Sequence, residues 1–62
     1  MKHVDCGRFY FDDNVATFNT AKIAAEQKCS FVKSQFEEDE RFVRVKVIQN
    51  IDHFLVDLKL TD

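Results

Sequence analysis

The chain contains no proline, no tryptophan and a single glycine, Gly7, in 62 residues. Disordered segments are rich in proline or glycine and poor in aromatics. Seven phenylalanines and one tyrosine stand here instead, so the composition predicts a folded chain. Two cysteines are too few to staple a mini-domain. No apolar stretch approaches the ~20 residues of a membrane-spanning helix. Met1-Lys2-His3-Val4-Asp5 also lacks the apolar core of a signal peptide. The expectation is a cytoplasmic protein with reduced thiols. A basic surplus is missing too: nine basic residues meet eleven acidic ones, a formal charge of -2. Neutralising phosphates calls for such a surplus. The overall balance therefore argues against direct nucleic-acid binding and suits a basic partner.

What is present is aromatic and β-branched. A chain of this length is one domain with a small core and marginal stability, and aromatic rings supply the most buried area per residue. Residues 3–11 read as a strand ending in Phe9-Tyr10-Phe11. Alternation puts Val4, Cys6, Arg8 and Tyr10 on one face, and Gly7, Phe9 and Phe11 on the other. Asp12-Asp13-Asn14 favours a turn. Residues 15–25 then suit a returning strand, although Ala21, Ala24 and Ala25 equally suit a helix. Over 30–48, Val32, Phe36, Val43 and Val47 recur at helical spacing, Ser30 offers an N-cap, and Glu37/Arg41 and Glu40/Arg44 are favourably ordered pairs. The window holds no Gly, Pro or Asn, so a helix is predicted there, with Asn50-Ile51-Asp52 closing it and an alternating strand over 53–60. The predicted fold is α+β: a three-stranded antiparallel sheet packed on one helix, in the order strand–strand–helix–strand. The alternative is a strand, a helix over 15–28 and a three-strand meander.

Read with Phe31, Ser34-Gln35-Phe36, Glu38, Val43, Lys46 and Val56-Asp57, and with Val4, Phe11 and Phe18 nearer the N-terminus, the chain resembles the Dmd-type antitoxins of T4-like phages (discriminator of mRNA degradation). The likeness covers nearly the whole length and lies in register and pattern rather than in a short motif. It implies a small α+β protein in the host-cell cytoplasm that inhibits a host endoribonuclease toxin of the RnlA/LsoA type by occupying its substrate groove, thereby protecting phage mRNA. It also implies that Phe31 and Glu40 touch the toxin. Relatives can carry tryptophan at the first position and asparagine at the second. Phe31 keeps the apolar anchor without the N–H donor, and Glu40 adds a charge.

Candidate partner-binding residues are Phe31, Gln35, Glu37, Glu38, Glu40 and Phe42. On a helix over 30–48, Phe31, Phe42 and Val45 would form a second apolar stripe, with Gln35 beside it, that one sheet cannot also bury. The blander alternative is one broad core face. The acidic run Glu37–Glu40 suits steering toward a basic cleft, although most such runs are solvated faces. His3, Cys6, Cys29 and His53 are scattered, without the paired spacing of a zinc site, and no metal or other cofactor is expected. Nothing supplies a nucleophile–base pair in a water-excluding pocket, so no enzyme is expected. The free protein is expected to be a monomer. Rival functions are a phage host-takeover inhibitor of RNA polymerase or of a restriction nuclease, and a module that completes an oligomer through an open sheet edge.

Overall fold

The computed structural model describes residues 1–62. Four elements follow one another: β1 (Lys2–Tyr10), α1 (Val15–Phe36), β2 (Phe42–Gln49) and β3 (His53–Leu60). The three strands form one antiparallel sheet in the order β1-β3-β2, packed on the helix, so the fold is α+β. The helix comes second, as in the alternative topology, and two strands follow it rather than three.

The helix forms over 15–36, not 30–48. Asn14 caps it, its side chain accepting the Ala16 N–H at 2.8 Å. Asp12 steadies the entry by accepting the Asn14 N–H at 2.8 Å. Four alanines and no glycine or proline favour propagation. Phe18, Ala21, Ala25, Cys29, Val32 and Phe36 recur at three- and four-residue spacing and pack on the sheet. Residues 15–25 are therefore not a returning strand, and Ser30 lies inside the helix rather than at its cap.

After Phe36 the chain turns instead of continuing as a helix. The carboxylate of Asp39 accepts the Arg41 N–H at 2.8 Å, and the Phe42 N–H donates to the Asp39 carbonyl at 2.9 Å. Arg41 pairs with Asp39 at 3.4 Å, not with Glu37, because the two no longer share a helical turn. For the same reason Glu40 and Arg44 are not one helical turn apart. β-Branched Val43, Val45, Val47 and Ile48 then follow their strand preference.

β3 is the central strand. Phe54, Val56, Leu58 and Leu60 point at the helix and are all buried. Val45 and Val47 on β2, and Val4, Cys6 and Phe9 on β1, pack beside them. Phe11, Phe18 and Phe54 close one end, with ring centroids 4.8–5.2 Å apart. The register along β1 shifts between Asp5 and Arg8, so the alternation does not run straight through. Val4, Cys6, Phe9 and Phe11 serve the core, while His3, Asp5, Arg8 and Tyr10 face solvent.

That bulge depends on Gly7, whose φ of +149° few other residues adopt. A Cβ there would lie 3.3 Å from the Phe9 ring. Gly7→Ala is expected to cost about 1–2 kcal/mol. In a domain of this size, that lowers the thermal midpoint by roughly 5–15 °C. A thermal melt checks this; an unchanged midpoint would show that the bulge does not need glycine.

Candidate functional site

Six of the seven phenylalanines lie in the core or pack against it; Phe31 does not. Its residue is 54% exposed on the helix surface, with the Lys28 ammonium 5.4 Å from the ring centroid. Gln35 stands one turn further on and is exposed. Glu37, Glu38 and Glu40 are exposed in the turn that follows. The helix end therefore brings five of the six predicted residues into one neighbourhood.

Phe42 is the sixth and sits elsewhere. It opens β2, pairs with Leu60 and packs half-buried against the core. The predicted Phe31/Phe42/Val45 stripe does not form, because Phe31 lies on the helix whereas Phe42 and Val45 are core-facing strand residues.

A cleft that the sequence did not announce lies on the flank of the helix that carries Phe31, nearer the helix N-terminus. It has a volume of about 420 Å³, between the end of β1 (Arg8, Phe9, Tyr10) and the helix (Thr17, Thr20, Ala21, Ala24). Small side chains on the helix leave this space beside an edge strand. Thr17, Ala24 and Phe31 are seven residues apart, hence on one flank of the helix. From Thr17 to Gln35 this flank runs roughly 27 Å at 1.5 Å per residue. One sequence signal was available for it, the small-residue spacing Thr17/Thr20/Ala24, which has meaning only once the segment is known to be helical.

Three carboxylates are stabilised in their charged form by local hydrogen bonds. Asp39 is held below the ordinary carboxylate range by the Arg41 backbone N–H and then by its guanidinium. Asp12 is lowered by the Thr17 hydroxyl and the Asn14 N–H. Asp5 is lowered by the Arg8 side chain and the Gly7 N–H. Each carboxylate binds its proton more weakly folded than unfolded. Their contribution to stability is therefore complete above the unfolded value near 4 and is lost as pH falls through the lower folded values. Stability measured by urea melts is expected to fall as pH drops below about 4. A protein more stable at pH 3 than at pH 6 would contradict these pairings. Burial pushes the Cys6 and Cys29 thiols up, which keeps them protonated and unreactive near neutrality.

No group of three His, Cys, Asp or Glu side chains converges as a metal site would require. His53 donates to Asp52 at 2.7 Å and accepts from the Asn50 amide at 3.1 Å, while His3 donates to Asp57 at 2.9 Å. No helix is long and apolar enough to cross a membrane. The molecule is thus an α+β domain with an apolar ring, a cleft and an acidic turn along one helix. No known protein family, curated protein or solved structure matches this chain.

Proposed function

We propose that the protein is a non-catalytic phage antitoxin. It binds a host endoribonuclease toxin of the RnlA/LsoA type in the host cytoplasm and blocks the toxin's substrate groove. The observation that carries this reading is the exposure of Phe31, in a chain that otherwise draws every phenylalanine toward a core of only a few buried residues. Apolar rings left outside so small a core are typical interface anchors. Phe31 inserts into an apolar pocket of the toxin, and Gln35 hydrogen-bonds beside it. Glu37, Glu38 and Glu40 meet cationic groups that otherwise hold RNA phosphates. The resemblance to Dmd-type antitoxins supports the same residues.

Co-expression with such a toxin is the test. Growth should be restored and the two chains should co-purify. Failure on both counts, with the antitoxin demonstrably folded, removes the assignment.

A further inference from the structure

The sheet has a second face, turned away from the helix, and its composition differs from the rest of the molecule. Cross-strand pairing arranges it in rows. Tyr10 stands opposite His53, Arg8–Leu55–Ile48 come next, then Asp5–Asp57–Lys46, then His3–Lys59–Arg44. Four basic side chains share this face with Asp5, Asp57 and, at its end beside His53, Asp52, a surplus of one cation in a chain whose total is -2. The acid that dominates the overall charge sits in the other turns and on the helix: Asp12, Asp13, Glu26, Glu37, Glu38, Asp39 and Glu40. The formal charge of the whole chain therefore does not describe this surface.

The face also carries an exposed ring on a rigid support. Tyr10 is 62% exposed and its ring centroid lies 5.1 Å from that of His53. His53 is fixed at both nitrogens, by Asp52 and by Asn50. A fixed aromatic pair at one end and Arg44, Lys46 and Lys59 toward the other fit a chain that alternates flat bases with phosphates. An acidic peptide would use the cations but not the stacking pair.

We propose that this solvent face of the sheet binds single-stranded RNA, with a base stacked on Tyr10 and phosphates paired with Arg44, Lys46 and Lys59. The choice of RNA over DNA rests on the proposed role against an endoribonuclease; the binding itself needs no toxin.

The test uses the full chain alone and a fluorescein-labelled ten-nucleotide oligouridylate, read by anisotropy at low salt. Binding is expected on the order of 10 μM, weakening with salt. R44Q/K46Q and Tyr10→Ala should each weaken it about ten-fold with the thermal midpoint held, while Lys22→Gln leaves it unchanged. No binding up to about 100 μM, or binding indifferent to both variants, overturns the proposal. Equally tight binding of oligothymidylate overturns the choice of RNA. Displacement by polyglutamate as effective as by unlabelled RNA would assign the face to an acidic protein segment instead. Toxin rescue is scored separately, so loss of one function does not mimic loss of the other.

Discussion

Leu58→Ala is expected to leave the protein largely unfolded at 37 °C. Leu58 is 1% exposed on the central strand, opposite Val4 on β1 and Val45 on β2, with the helix above it. Only it and Val56 are large side chains with essentially no exposure. Removing a buried leucine side chain costs about 2–5 kcal/mol, transfer and cavity together. At roughly 0.05–0.15 kcal/mol per residue, a domain of this length holds only about 3–9 kcal/mol in total. At the middle of both ranges the substitution therefore consumes more than half of the stability, and at the upper end all of it. Urea denaturation should show the midpoint at half its original value or lower with the slope unchanged. Ile51→Ala, at a residue 98% exposed, should move it by less than about 0.5 kcal/mol. A loss below about 1 kcal/mol for Leu58→Ala would mean that the helix does not cover this face of β3.

The same strand was the most legible part of the sequence. Phe54, Val56, Leu58 and Leu60 alternate with His53, Leu55, Asp57 and Lys59, and the structure uses that alternation unchanged. The three-stranded sheet and the single helix also followed from pattern. The helix position did not. Val43 and Val47 stand four apart, a spacing that satisfies one helical face and, equally, one face of a strand. What separates the two is the run of β-branched residues and the turn before it. That turn is made by Asp39, whose carboxylate takes the Arg41 N–H in place of a glycine or proline. Within four acidic residues, one turn-forming aspartate is hard to see as such. Helix 15–36 was obscured for the converse reason. Its buried face uses Ala21 and Ala25, small residues that carry little hydrophobic signal, while Val15 and Ile23 remain exposed. On β1, Gly7 was visible but its bulge was not, and the two-residue alternation failed from that point onward. A helix over 30–48 would group Phe31 with Phe42 and Val45; because the helix ends at Phe36, those two are strand residues that pack on the core.

Phe31→Ala should separate binding from stability. The residue is half-exposed, and its one named aromatic contact is the Lys28 ammonium, an interaction worth about 0.5–1 kcal/mol at a surface. Truncation should therefore lower the thermal midpoint by no more than about 8 °C. At an interface the same ring would be an anchor, and removing an anchor costs about 2 kcal/mol or more. Affinity for the toxin should then fall at least about 30-fold by titration calorimetry, most of it through faster dissociation. Phe31→Trp keeps the apolar ring and adds an indole N–H, so it should bind at least as well as the parent. The pair of variants discriminates between outcomes that one alone would not. A midpoint drop above about 10 °C for Phe31→Ala would place the ring in the folding core. Unaltered affinity with an unaltered midpoint would move the interface off this flank of the helix, leaving Gln35 and the acidic turn without their proposed anchor.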